Sequence, residues 1–150
     1  MRKQLVTSID IEAPAEQVWE ILVDFAAFPS WNPFIVQAKG RAEVGRQLTL
    51  RMQPVGGSAV TLRPTVVEAI EGHRLRWRGR LGVRGLFDAE HLFILEPLGD
   101  SGTRLVQQEQ FSGLLVRLFQ RSLDRGTLPA FRAMNRALKD RAERATVARG

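Results

Sequence analysis

The chain has 150 residues, of which 44% are hydrophobic and 25% are charged, and its formal net charge is +6. These values are typical of one globular domain, and the absence of cysteine excludes disulfides, thiol nucleophiles and cysteine metal sites. No segment is apolar over the length that a membrane helix needs, and the N-terminus lacks the apolar stretch of a signal peptide. We therefore expect a cytoplasmic protein with one domain over residues 1–150.

The first part of the chain predicts one strand and two short helices. Residues 3 to 12 alternate as a strand does, and Pro14 suits the first turn of a helix that runs to about Asp24. The stretch FAAFPSWNPF follows as a second short helix and a turn. Its aromatic and proline residues either pack the short helices against a sheet or form the rim of a pocket: Phe25, Phe28, Trp31, Pro33 and Phe34.

Alternating residues and turn signals predict six further strands. They cover residues 34–40, 47–53, 58–70 and 74–81, and then the two arms of a hairpin, 86–97 and 103–113. Pro64 indicates an edge position or a bulge within the third of them, because proline cannot donate to a sheet ladder. The short turns between the late strands predict antiparallel pairing.

The strand at 74–81 places four arginines on one face: Arg74, Arg76, Arg78 and Arg80. One interpretation is a solvated face. The alternative is a basic interaction module for a protein or RNA partner, whose binding would weaken steeply with salt. Aromatic side chains that could stack on bases do not alternate with these arginines on their face, so no nucleic-acid partner is expected.

The hairpin carries an unusual polar pair. If its turn is symmetric, His91 lies opposite Glu109, Phe93 lies opposite Gln107, and Trp77 of the preceding strand lies beside His91. An imidazole and a carboxylate on an otherwise apolar face need partners or a wet cavity. The pair is therefore either a satisfied polar contact in the core or an acid/base pair at a pocket.

From Leu114 to about Ala145 the pattern becomes helical, and Gly126 and Pro129 predict a kink. The apolar stripe of this helix consists of Leu115, Leu118, Phe119, Phe131, Met134 and Leu138. Only this element is long enough to cover the sheet. The sequence thus predicts an α+β fold, in which a curved antiparallel sheet of about seven strands wraps on a long C-terminal helix and a cavity lies between them.

Three segments carry a resemblance to a known family: IDIEAPAEQVWEILVDFAAFPSWNPFI, EHLFILEPLGDSGTRLVQQEQFSG and TLPAFRAMNRALKDRAE. With this order of elements, the chain resembles the SRPBCC superfamily. That superfamily shares the helix-grip fold of START lipid-transfer domains, birch-pollen-allergen-like proteins and bacterial polyketide cyclase/dehydratase-like proteins. The resemblance implies a hydrophobic small molecule bound between sheet and helix. Some relatives are aromatase/cyclases and others bind lipids or quinones.

Three functional hypotheses follow. The first is binding of a hydrophobic ligand of lipid, polyketide or aromatic type, and its candidate pocket residues are Leu50, Met52, Leu62, Trp77, His91, Phe93, Gln107, Glu109, Phe119, Phe131 and Met134. The second is a polyketide cyclase or dehydratase that uses His91 and Glu109 as acid and base. The third is the basic interaction module. We expect no metal or other cofactor, and a monomer or a homodimer.

Overall fold

The computed structural model describes residues 1–149, so Gly150 of the predicted domain lies outside the described residues. The chain forms β1 (Arg2–Ile11), α1 (Ala15–Val23), a 3-10 helix (Phe25–Ser30), β2 (Ile35–Lys39), β3 (Thr49–Met52), β4 (Val60–Leu62), β5 (Thr65–Ile70), β6 (Arg74–Leu81), β7 (Phe87–Leu98), β8 (Gly102–Ser112), α2 (Val116–Ser122), a π-helical turn (Leu123–Thr127) and α3 (Leu128–Arg149). The predicted α+β fold, with an antiparallel sheet against a long C-terminal helix, is confirmed.

The strands form two antiparallel sheets. Five strands follow the order β1-β8-β7-β6-β5, and three follow the order β2-β3-β4. A bridge between Gln47 and Thr65 connects the two sheets. The strand predicted over 58–70 is divided into β4 and β5 around Pro64, which has no N–H to donate. Residues 1–149 therefore contain eight strands where about seven were predicted.

The predicted register of the hairpin is confirmed. Glu109 of β8 pairs with His91 of β7, and Trp77 of β6 pairs with His91 from the other side. Phe93 pairs with Gln107 in the same ladder. The turn between the arms contains Gly99 at a φ of 70°, a conformation that glycine adopts without steric cost. The local turn thus sets the polar residues side by side on the face that looks at the helix.

The C-terminal helix is interrupted by the π-helical turn near Gly126, where a kink was predicted. The carbonyl oxygen of Gly126 accepts a hydrogen bond from the N–H of Val55 at 3.0 Å. A Cβ at position 126 would lie 3.2 Å from the carbonyl oxygen of Val55. A side chain at position 126 would therefore crowd the β3–β4 loop, which packs directly against the turn.

The predicted apolar stripe is buried only along α3. Phe131, Met134 and Leu138 are fully buried, whereas 75% of Leu118 and 37% of Phe119 remain exposed. The two exposed residues lie on α2, which precedes the π-helical turn. The helix therefore divides into α3, which covers the sheet, and α2, which leaves apolar side chains at the surface.

The arginine face of β6 carries a ladder of ion pairs. Glu68 contacts Arg74 at 2.8 Å and Arg76 at 3.5 Å, and Glu90 contacts both Arg76 and Arg78 at 2.9 Å. Burial alone would raise the pKa of Glu90, but the hydrogen bonds from these two arginines outweigh it and hold the pKa below its usual value. Carboxylates from neighbouring strands thus neutralise much of the predicted basic stripe.

No helix in residues 1–149 is both long enough and apolar enough to cross a membrane.

Candidate functional site

A cavity of about 230 Å³ opens between the inner sheet faces and the α2 region. Its walls come from β3, β4, β6, β7 and β8, and the π-helical turn contributes Leu123 and Thr127. The lining is mainly apolar and aromatic and consists of Phe34, Leu50, Met52, Pro54, Val60, Leu62, Pro64, Trp77, Gly79, Arg80, Leu81, Phe87, Ala89, Glu109, Phe111, Phe119, Ser122, Leu123 and Thr127. Because Val60, Leu81 and Phe119 are 37–40% exposed, they mark its mouth.

The structure brings part of the predicted pocket together. Six of the candidate residues line the cavity: Leu50, Met52, Leu62, Trp77, Glu109 and Phe119. The five on strands β3, β4, β6 and β8 project from the inner faces, as their alternation in sequence indicated. Glu109 is the one acidic residue in the lining, and its side chain is only 8% exposed.

Five other residues that were predicted to line the pocket do not border this cavity. His91, Phe93, Gln107, Phe131 and Met134 are all fully buried. The Phe131 ring of α3 lies 5.0 Å from the His91 ring, and the Phe93 ring stacks on His91 at 4.5 Å. Direct packing of α3 on this part of the sheet fills the space that a ligand would need.

Some lining residues were not predicted. Phe87 and Phe111 lie on the same strand faces as His91 and Glu109, so the alternation that found the polar pair also contained these two rings. Thr127 and Leu123 come from the π-helical turn. Gly126 and Pro129 indicated an interruption of the helix here, but not that the turn would contact the β3–β4 loop and line a cavity.

The aromatic patch that follows α1 divides between packing and pocket. Phe25, Phe28 and Trp31 pack edge to face, with ring centroids 5.4 and 5.2 Å apart. Only Phe34 reaches the cavity lining. The Asn32 side-chain oxygen accepts hydrogen bonds from the N–H groups of Phe34 and Ile35, which fixes the backbone where the chain enters β2.

A buried hydrogen-bond network begins at Glu109. Its Oε2 lies 2.9 Å from Nδ1 of His91, and Nε2 of His91 lies 3.0 Å from Oε1 of Gln107. The Gln107 amide donates to Oδ1 of Asn135 at 2.7 Å, and Nδ2 of Asn135 donates to the Thr7 hydroxyl at 2.9 Å. The Thr7 hydroxyl then donates to the carbonyl oxygen of Gln107 at 3.1 Å. The network therefore links β8, β7, α3 and β1 behind the cavity wall.

Aromatic rings enclose the imidazole in this network. The Trp77 ring lies 5.2 Å from the His91 ring, in addition to the contacts with Phe93 and Phe131. Exclusion of water strengthens the hydrogen bonds of the imidazole and raises the cost of breaking them. Of the pair, His91 is thus shielded and Glu109 is the member that a ligand can touch.

The sequence of residues 2–143 matches the family model described as "Polyketide cyclase / dehydrase and lipid transport". The chain belongs to this family. The predicted place in the SRPBCC superfamily, near its polyketide cyclase-like branch, is thereby confirmed. No curated protein matches the chain.

Solved structures share the fold of this family member at low sequence identity. The Zhui aromatase/cyclase from Streptomyces sp. R1128 is 18% identical, with a TM-score of 0.82 over 100% of this chain and 99% of that chain. A norcoclaurine synthase point mutant from Thalictrum flavum is 13% identical, with a TM-score of 0.75 over 97% of each chain. A START superfamily protein from Mycobacterium smegmatis is 24% identical, with a TM-score of 0.72 over 95% of this chain and 98% of that chain.

Within the polyketide cyclase/dehydrase and lipid transport family, this site offers one carboxyl group in an apolar enclosure. Among residues 1–149, Oε1 of Glu109 has no hydrogen-bond partner, whereas Oε2 is bound to His91. A free carboxyl oxygen accepts a hydrogen bond from a ligand, and in an enzyme it would accept a proton. In the described part of the chain, no three His, Cys, Asp or Glu residues cluster in a way that would hold a metal ion.

Proposed function

We propose that the protein binds a hydrophobic small molecule in the cavity, with Glu109 recognising its polar group. The observation that carries this proposal is one buried carboxyl group within a mainly apolar and aromatic lining, whose other polar side chains are Arg80, Ser122 and Thr127. Such a lining provides the free energy of binding by removing apolar surface from water, and a few placed polar groups set the orientation of the ligand. Lipid, polyketide and aromatic ligands all present apolar surface of this kind.

The size of the cavity favours a compact ligand. An apolar cavity of roughly 150 Å³ accommodates benzene. A cavity of about 230 Å³ therefore suits a compound of one or two rings. A longer acyl or polyketide chain would have to extend through the mouth between Val60, Leu81 and Phe119.

The probe 1-naphthol tests binding at this place. Among the three tryptophans of the chain, Trp77 lines the cavity and Trp19 and Trp31 do not, so their indole N–H signals report on location. In ¹⁵N-labelled protein, we expect 1-naphthol to shift the Trp77 signal saturably and to leave the other two signals in place. Shifts of equal size at all three tryptophans, or no shift at Trp77 up to the solubility of the probe, would refute the proposal.

A variant whose cavity is partly filled tests whether 1-naphthol binds inside it. Ala89 borders the cavity, and Ala89→Leu adds three carbons into it. We expect the affinity for 1-naphthol to fall by about tenfold or more, which corresponds to at least ~1.4 kcal/mol. An unchanged affinity in a folded Ala89→Leu protein would place the probe elsewhere.

A second candidate function is a cyclase or dehydratase of the polyketide type. It is supported by the 2.9 Å contact between His91 and Glu109, which joins a cavity-facing carboxyl to an imidazole. Glu109 would take or give the proton at the substrate, and His91 would stabilise the resulting state of the carboxyl group. This function requires that Glu109→Gln lose turnover while ligand binding persists.

A further inference from the structure

We infer that Thr7, Asn135 and Gln107 fix a permanent hydrogen on Nε2 of His91, so that the movable proton of the His91–Glu109 pair lies between Nδ1 and Oε2. The three residues lie outside the cavity, and we assign them as positioning residues. The inference deepens the proposed function. It rests on that function in one respect, namely that Glu109 is the residue that contacts the ligand.

A backbone carbonyl determines which groups of the network donate hydrogen bonds and which accept them. The Thr7 hydroxyl lies 3.1 Å from the carbonyl oxygen of Gln107, and a carbonyl can only accept. The hydroxyl therefore uses its one hydrogen there, and its oxygen accepts from Nδ2 of Asn135 at 2.9 Å. This orientation of the Asn135 amide points its oxygen at Gln107.

The same assignment of donors and acceptors extends through Gln107 to the imidazole. Nε2 of Gln107 donates to Oδ1 of Asn135 at 2.7 Å and lies 3.5 Å from the carbonyl oxygen of Phe131. Its Oε1 is then the atom that faces His91, at 3.0 Å from Nε2 of the ring. If the side-chain amides of Asn135 and Gln107 were both rotated by 180°, the hydrogen bonds to the backbone carbonyls of Gln107 and Phe131 would be lost. Nε2 of His91 is therefore a donor.

This assignment determines the other end of the ring. Nδ1 and Oε2 of Glu109 are 2.9 Å apart, so one hydrogen must lie between them, since two facing lone pairs would repel. Whether nitrogen or oxygen holds that hydrogen, the pair has no net charge. A neutral ligand that donates a hydroxyl or N–H to Oε1 suits such a site, whereas an ammonium ligand would find its counter-charge already neutralised by His91.

Nitrogen NMR of ¹⁵N-histidine-labelled protein tests the inference directly. The chain has two histidines, and His73 is exposed, so it supplies a reference signal. In the unliganded wild-type protein we expect Nε2 of His91 to carry a directly bonded hydrogen in every molecule. A bare Nε2 with hydrogen only on Nδ1 would overturn the inference, and this experiment needs no variant.

Two buried threonines provide a matched pair of variants. Thr7→Val removes the hydroxyl that sets the direction, whereas Thr103→Val removes another buried hydroxyl, which donates to the carbonyl oxygen of Ala13 at 2.7 Å. We expect a second His91 form with a bare Nε2 to appear in Thr7→Val and not in Thr103→Val. The same single form in both variants would overturn the role of Thr7.

The readout separates this inference from the proposed function. The NMR experiment uses no ligand, so its result does not depend on whether 1-naphthol binds. Failure of 1-naphthol to bind a protein whose His91 carries Nε2–H would refute the proposed function alone. Binding of 1-naphthol to a protein with a bare Nε2 would refute the inference alone.

Discussion

Replacing His91 with leucine should lower the free energy of unfolding by about 2–6 kcal/mol, because it leaves two buried polar groups without a hydrogen-bond partner, at about 1–3 kcal/mol each. His91 is fully buried, and the carboxyl group that it contacts is 8% exposed. Loss of the imidazole leaves Oε2 of Glu109 and Oε1 of Gln107 without their hydrogen-bond partner behind the cavity wall. Urea unfolding of the variant and of wild-type protein measures the difference.

A control variant and a double variant distinguish the loss of the His91–Glu109 contact from the general effect of replacing a histidine. His73→Leu changes an exposed histidine and should alter stability by no more than about 0.5 kcal/mol. Glu109→Leu should cost stability in wild-type protein and cost little, or restore stability, in the His91→Leu background, because residues in contact are not additive. Equal stability of His91→Leu and wild-type protein would contradict the network described here.

Phe131→Ala should also destabilise the protein by about 3–5 kcal/mol, the usual cost of removing a buried phenylalanine ring. Phe131 is fully buried on α3, and its ring lies 5.2 Å from the Phe34 ring and 5.0 Å from His91. Its removal takes away the contact through which the helix covers the polar pair. The change in unfolding midpoint, with an unchanged slope against denaturant, measures this cost.

Phe119→Ala is the comparison for that variant. Phe119 lies at the mouth of the cavity, is 37% exposed and packs on Phe87 with ring centroids 5.4 Å apart. Since it remains partly in water in the folded state, its truncation should cost less than half as much as that of Phe131. Equal losses in the two variants would mean that Phe131 does not hold the core between α3 and the sheet.

The hairpin explains why much of this fold could be predicted from the sequence. Its arms are separated by a short turn over 99–101, and a symmetric turn there places His91 opposite Glu109, so this contact followed from local rules. The division of the strand at Pro64 has a local cause as well. Neither conclusion needed information from a distant part of the chain.

The limits of the cavity were not predictable in the same way. Whether His91 or Glu109 faces a ligand depends on where α3 packs, and that depends on how the π-helical turn meets the β3–β4 loop at Val55. Strand alternation places both residues on the same face and does not distinguish them. The packing of the helix therefore determines which predicted pocket residues are part of the core.

Two members of the polar network, Thr7 and Asn135, are polar residues within apolar sequence patterns. Asn135 interrupts the apolar stripe of α3 one turn after Phe131, and it is 2% exposed. Thr7 lies on the same inner face of β1 as Leu5. A polar residue on a buried stripe requires a partner, so the pair could have been proposed as neighbours of Gln107.

The central claim is that Glu109 recognises the polar group of a ligand in the apolar cavity. The most direct measurement compares the affinities of 1-naphthol and 1-methylnaphthalene, which differ by a hydroxyl in place of a methyl group, using the Trp77 indole signal. We expect wild-type protein and the exposed-site control Glu96→Met to bind 1-naphthol about tenfold more tightly, which matches the ~1.4 kcal/mol of one net hydrogen bond. Glu109→Met should lose that preference and still bind both compounds. An equal preference for 1-naphthol in Glu109→Met and wild-type protein would contradict the account.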